Sequence, residues 1–193
     1  MKKQIIILVC IVIILLFFYL NNAHVTYLKS DTDGQKYLVR DLPNKQEASD
    51  MLAMIKKNLI QLNKYMEQNK GQKPYSDYRQ YIDNLSAKIN TVDIKEGSPD
   101  SQYTSYSINK GEEIVFCLRS KKDHQLHDLN LMMFVAIHEA SHIACPEVGH
   151  TPLFRDIFVF FLKNAMTLGI YKYIDFEKNN MEYCGININE SPI

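Results

Sequence analysis

Residues 129–144 read LNLMMFVAIHEASHIA, and the stretch that decides the fold is His138-Glu139-Ala140-Ser141-His142. Apolar residues flank it at helical spacing, as a helix packed into a core requires. Residues four apart on a helix stand one above the other on the same face. His138 and His142 can therefore present imidazole nitrogens to one zinc ion, and Glu139 stands beside them to take a proton from a zinc-bound water. Asp128 or Asn130 is placed to cap this helix, while Pro146 and Gly149 end it. The competing reading is a pair of surface histidines on an amphipathic helix, and the apolar context disfavours it.

A catalytic zinc takes three protein ligands and keeps one position open. His150, eight residues past His142, is the favoured third ligand. It sits in Gly149-His150-Thr151-Pro152, where Gly149 permits a sharp turn and Thr151-Pro152 opens a new helix as N-cap and first residue. Glu147 is the rival, although five residues make closure tight, and Asp156 and Glu177 are more distant carboxylates. His24, His124 and His127 lack such an arrangement and read as solvated.

Working outward, helical periodicity marks Gln46–Gln68, with Ala48, Met51, Leu52, Ile55, Leu59, Leu62 and Met66 on one stripe. Gly71 and Pro74 break it, and a second helix is expected over Tyr75–Ile89. Residues 91–101 read as a loop. Tyr103–Ile108 and Glu113–Arg119 around Asn109-Lys110-Gly111 read as a β-hairpin, whose second strand could offer an open edge to an extended peptide. Beyond the motif, Pro152–Leu168 is strongly apolar and helical, Gly169 stops it, and 170–193 reads as aromatic and irregular.

The N-terminus differs from the rest. Lys2 and Lys3 precede Ile5–Leu20, sixteen residues without charge, glycine or proline. At 1.5 Å per residue the run spans roughly 24 Å, against a hydrocarbon core of ~30 Å. A cleaved signal peptide would cut best after Ala23, but Asn21 stands where a small residue belongs. The expectation is an uncleaved transmembrane anchor over residues 1–22, contacting the lipid bilayer through 5–20, its lysines favouring a cytoplasmic N-terminus. A juxtamembrane stalk over 23–44, running into a short extended piece at Lys36–Arg40, and one domain over 45–193 complete the expected organisation.

Composition excludes some classes. The chain has 22 basic and 22 acidic residues, and setting aside Lys2 and Lys3 leaves 20 against 22. No basic field points to nucleic acid. Cys117, Cys145 and Cys184 follow the anchor in an odd number, compatible with one disulfide plus one thiol or with three thiols, and no C-x-x-C pair exists to build a cysteine zinc site. The N-x-S sequons at Asn84 and Asn189 are short enough to arise by chance.

His138-Glu139-x-x-His142 followed by Gly149-His150-Thr151-Pro152-x-Phe154 resembles the SprT-like and WLM-type zincin peptidases, over roughly residues 129–165. The resemblance implies that the second stretch supplies the third histidine. More broadly, Thr104-Ser105-Tyr106, Asn109-Lys110-Gly111, Gly169-Ile170-Tyr171 and Tyr183-Cys184-Gly185 join the zinc motif in resembling uncharacterised membrane-anchored zincin-like proteins of giant DNA viruses. SprT-like proteins are soluble and carry DNA-binding additions, so their role on DNA–protein crosslinks does not transfer to this chain.

The fold class expected is α+β: a small zincin-like domain of helices plus a short hairpin or sheet, behind one transmembrane helix. The function expected is a membrane-anchored zinc metallopeptidase acting on a peptide or protein substrate, with viral structural proteins as candidate partners. Glu139 is the general base, His138, His142 and His150 the zinc ligands, and Tyr171 and Tyr173 candidate oxyanion donors that could equally serve in packing. The alternative is a structural membrane or virion component that keeps a zinc-bound fold without relevant proteolysis.

Overall fold

The computed structural model describes residues 2–22, 24–98, 101 and 103–193. Helix α1 covers Lys2–Asn22. Among its described side chains, apolar groups from Ile5 to Phe18 stand exposed. The expected single-pass anchor is not upheld: among the described residues no helix is long and apolar enough to cross a membrane. The uninterrupted apolar run in α1 is sixteen residues, about 24 Å against a core roughly 30 Å thick. The assignment of a single-pass membrane location falls with it. Ala23, the cleavage position weighed above, lies outside the described residues, as do Pro99 and Asp100 of the expected 91–101 loop.

The segment expected as a polar stalk holds a β-hairpin, β1 (Val25–Lys29) against β2 (Lys36–Arg40), antiparallel with Tyr27 opposite Leu38. Tyr37 and Val39 are buried against the core. Strand β1 and the loop after it are tied to the next helix: Ser49 Oγ donates to the Leu28 carbonyl at 3.1 Å and Ser30 Oγ donates to Asp50 Oδ1 at 2.6 Å. Val25, Thr26 and Tyr27 are strand-favouring residues, and this docking fixes the hairpin they form against the core.

Helix α2 (Lys45–Asn69) buries Leu52, Ile55, Leu59, Leu62 and Met66, the stripe read from the sequence. The expected helix over Tyr75–Ile89 divides into a 3₁₀ turn at Tyr75–Tyr78 and helix α3 (Arg79–Ile89), which buries Ile82, Leu85 and Ile89. Residues expected as loop form strand β3 (Asp93–Glu96), parallel to β5 (Glu113–Phe116), and β5 in turn pairs antiparallel with β4 (Tyr106–Ile108). The order is β3-β5-β4, so β5 is the middle strand and cannot offer a free edge; β4 is an edge instead.

Helix α4 (Leu129–Ala144) carries the motif and lies in the core, where Leu131 through Ile137 are all buried. A helix facing the core on one side would expose some of seven consecutive residues, so α4 is covered around its circumference. Helices α2 and α3 and helix α5 (Pro152–Thr167) surround it. Asp128 caps α4, its Oδ1 accepting the Asn130 and Leu131 N–H groups, and Thr151 Oγ1 caps α5 through the Phe154 N–H. The tail expected to be irregular contains a last hairpin, β6 (Met181–Tyr183) with β7 (Ile186–Ile188), turning on Cys184 and Gly185 at φ +51° and +88°.

Candidate metal centre

Two consecutive turns of α4 and the first residues before α5 bring three imidazoles together. Nε2 of His138 lies 3.1 Å from that of His142 and 3.0 Å from that of His150, and the third separation is 3.2 Å. His138 and His142 converge because they are four apart on one helix. His150 reaches back because Gly149 takes φ +84°, a left-handed conformation that suits glycine, and α5 starts two residues after His150. Phe154, on the first turn of α5, stacks on His142 with centroids 4.1 Å apart and meets His138 edge-on at 4.9 Å. Phe158 contacts the other side of His138 at 5.1 Å.

The donor set fits a metal ion. Among the described residues these three form the group whose ligand atoms could hold one. A tetrahedral zinc with Zn–N bonds of about 2.05 Å separates its ligand nitrogens by about 3.3 Å, within a few tenths of an ångström of this triangle. Burial, reinforced by the neighbouring imidazoles, pushes the His138 imidazolium down to about 3. Burial, with His150 and Lys110 nearby, pushes that of His142 down to about 4. Both rings are thus neutral near pH 7, with lone pairs free to bind a cation.

Glu139 is 5% exposed, and burial raises its carboxyl from the ordinary range to about 7. It lines the same cleft as the triad, a cavity of about 710 Å³ open to solvent. One wall is the helical junction just described. The other comes from residues 104–107, strand β7 and Tyr183 of β6.

The turn between β4 and β5 clamps the end of α4. Lys110 Nζ donates to the carbonyls of Cys145 and Pro146, both at 2.8 Å, and of Glu147 at 3.3 Å. Asn84 Nδ2 donates to the Ala144 carbonyl at 2.8 Å, so this sequon asparagine serves the helix end. Asn109, Lys110 and Gly111 all take positive φ, and a Cβ at Gly111 would meet Ile143 side-chain atoms at 3.0–3.2 Å. The segment leading to His150 is therefore held from outside by a cation and by close packing.

The strand wall is fastened differently. Cys117 and Cys184 form a disulfide across 67 residues, leaving Cys145 as a buried thiol. The odd count of three thus resolves into one bridge plus one free thiol. Beside the bridge, the Tyr183 and Ser105 hydroxyls are hydrogen-bonded, and Ser105 Oγ accepts the Cys117 N–H at 3.2 Å. The Tyr183 phenol is pushed up by burial and by the Glu139 carboxylate nearby.

The other residues singled out in the sequence lie elsewhere. Tyr171 is buried, accepts the Ile174 N–H at 3.2 Å and packs on Phe134; Tyr173 is exposed; neither lines the cleft. Glu147 lines the cleft, but it, Asp156 and Glu177 stand outside the cluster of ligand atoms. His24 and His124 are exposed, whereas His127, expected to be solvated, is 8% exposed, accepts the Cys184 N–H at 3.4 Å and lies against Tyr183. Sequence reasoning passed over Tyr183. The signal available was the residue-glycine pair Cys184-Gly185 between short alternating segments, a hairpin signature that would have taken Tyr183 out of an irregular tail.

No family model matches the chain. Over 168 residues it is 44% identical to the uncharacterized protein R325 of Acanthamoeba polyphaga mimivirus, covering 87% of this chain and 84% of that protein. The chain belongs to the R325 family. Shorter matches reach other members of the virus world: 42% identity over 69 residues with protein 136R of Invertebrate iridescent virus 6, and 37% over 67 residues with protein 042R of Invertebrate iridescent virus 3. These cover 35% of this chain and 38% and 42% of those proteins. Among solved structures, the crystal structure of Wss1 from Saccharomyces cerevisiae aligns at a TM-score of 0.48 with 17% identity, over 66% of this chain and 84% of that one.

Proposed function

We propose that this member of the R325 family is a zinc-dependent metallopeptidase. The observation that carries the reading is the convergence of three Nε2 atoms at 3.0–3.2 Å in a solvent-open cleft that also holds a buried carboxylate, Glu139. Zinc, when bound by His138, His142 and His150, supplies Lewis acidity that activates water and polarises a carbonyl. Glu139 takes the proton of the attacking water and later gives it to the departing amine. A carboxyl raised to about 7 suits both halves of that task, because it gives and takes a proton near neutrality. A purely structural site has no need for such a group, which weighs against a non-proteolytic virion or structural component.

Tyr183 takes the role first considered for Tyr171 and Tyr173. In the Tyr183–Ser105 pair one hydroxyl hydrogen is spent on the mutual bond, and Ser105 already accepts from Cys117. One hydroxyl hydrogen remains to be donated into the cleft, where it can steady a developing oxyanion. The substrate is a peptide in extended form, laid along the edge strand β4, whose residues Tyr106 and Ser107 line the cleft.

Two measurements test the reading. The full chain is expected to bind one zinc per molecule by elemental analysis, and His150→Ala to lose most of it; full retention would overturn the ligand assignment. Peptide-library cleavage is expected from the wild type and not from Glu139→Gln, and equal cleavage by both would overturn the role of Glu139.

A further inference from the structure

Helix α4 is closed off almost all the way round, and the places where it is not decide what the cleft can accept. Leu131, Met132, Met133, Ala136 and Ile137 are 0–1% exposed, whereas Phe134 keeps 7% and Val135 6%. The next openings along the helix are at His138, Glu139 and His142. Positions 134–135, 138–139 and 142 recur at helical spacing, so they share one face, and all of them line the cleft. The floor that carries the three-histidine centre and the base thus runs on, one turn towards the helix start, into an apolar pair. One turn of four residues is about 6 Å along the axis. An extended peptide covers that distance in about two residues.

The strand wall presents apolar groups of its own. Ile186 and Ile188 both line the cleft and the residue between them, Asn187, does not, as alternation along β7 requires. Tyr183 stands opposite Ile186 in the hairpin register, so its ring shares their face. Charge gathers at the other end. Besides Glu139 and the histidines, the charged residues lining the cleft are Lys110 and Glu147. Lys110 donates to the carbonyls of Cys145, Pro146 and Glu147, past the C-terminal end of α4, and Glu147 belongs to that same segment. Phe134 and Val135 lie towards the opposite end of the helix. A charged side chain laid over them would lose hydration without a partner among the lining residues, whereas a large apolar one would gain by leaving water.

We infer that the cleft selects peptides with a large apolar side chain, such as leucine or phenylalanine, within two residues of the scissile bond, seated between Phe134 and Val135 of α4 and Ile186 and Ile188 of β7. This names the substrate class of the proposed peptidase and rests on that reading for the scissile bond, while the pocket itself is open to assay without cleavage.

The test takes the zinc-loaded full chain and a set of peptides in which one position at a time is Leu, Ser or Asp in an otherwise constant sequence. At one position within two residues of the cleaved bond, Leu is expected to exceed Ser and Asp about ten- to hundredfold in kcat/KM, the range for burying one such side chain. Glu139→Gln should bind the uncleaved peptides in the same order, read by fluorescence anisotropy. Ile186→Asp, at a half-exposed position where folding is safe, should remove most of the preference for Leu. Asn187→Asp, which adds the same charge on the other face of β7, should keep it. Cleavage without preference would overturn the inference and leave the peptidase reading standing. No cleavage, with Leu still preferred in binding, would overturn the peptidase reading and support the pocket. Neither cleavage nor preferential binding would overturn both, and an equal preference for Leu in Ile186→Asp and Asn187→Asp would overturn the assignment of the pocket to these residues.

Discussion

The two walls of the metal cleft are built on opposite principles. The helical wall is local: His138, Glu139, His142 and His150 span thirteen positions, set by one helix, one glycine at φ +84° and one N-cap. The strand wall is assembled from afar, with Ser105 meeting Tyr183 across 78 positions and Cys117 joined to Cys184 across 67. The helical wall carries the metal and base chemistry proposed here, and the strand wall supplies the proposed oxyanion donor, Tyr183, and positions the substrate. The lesson is that a metal triad can be nearly self-sufficient while its active cleft is not.

The predictions probe that division, in order of expected effect. Glu139→Gln should lower peptide cleavage by about 10²–10⁴, the usual contribution of general acid–base catalysis, with zinc content unchanged by elemental analysis. Loss of zinc in that variant would mean that the helical wall does not separate binding from chemistry. Tyr183→Phe should lower kcat by about 10²-fold with zinc retained, as removal of one oxyanion donor does, while Tyr173→Phe has no effect. If the two tyrosine variants behave alike in steady-state kinetics, the strand wall plays no part in the reaction.

Cys184→Ser should cost about 2–4 kcal/mol of stability, read as a fall in the denaturation midpoint against wild type. Its zinc affinity, measured by competition with a chelator, should stay within a few-fold, because no triad residue touches the bridge. Asp128→Ala should cost about 1 kcal/mol through the lost cap of α4, visible as a small drop in Tm. A much larger loss there would show that the motif helix depends on its first turn more than its buried flanks suggest.

The same division decided how much could be read from the sequence. α2, α4 and α5 were legible because their apolar residues recur at helical spacing and because Asp128, Thr151 and Pro152 are local start signals. His150 was legible for the same reason. Strand β3 was not: Asp93-Ile94-Lys95-Glu96 holds one apolar residue, and Glu96 is buried because it meets Arg119, 23 positions away. β6 is shorter still and depends equally on its partner. His127 looked solvated because nothing adjacent in sequence announces that the β6–β7 turn will cover it. The N-terminal run misled in the other direction: its apolar character suggested a membrane span, and among the described residues no helix is long and apolar enough to be one.

The edge strand β4 has only three residues, and this bounds how the cleft can handle a peptide. Alternation along a strand leaves at most about four outward backbone groups on a segment of that length. At about 0.5–1.5 kcal/mol for each hydrogen bond, backbone pairing alone supplies about 2–6 kcal/mol, a grip no tighter than roughly tens of micromolar. A cleaved product held mainly by that strand would depart quickly, so turnover would be limited by how well the side-chain pockets recognise the next chain rather than by release of the last.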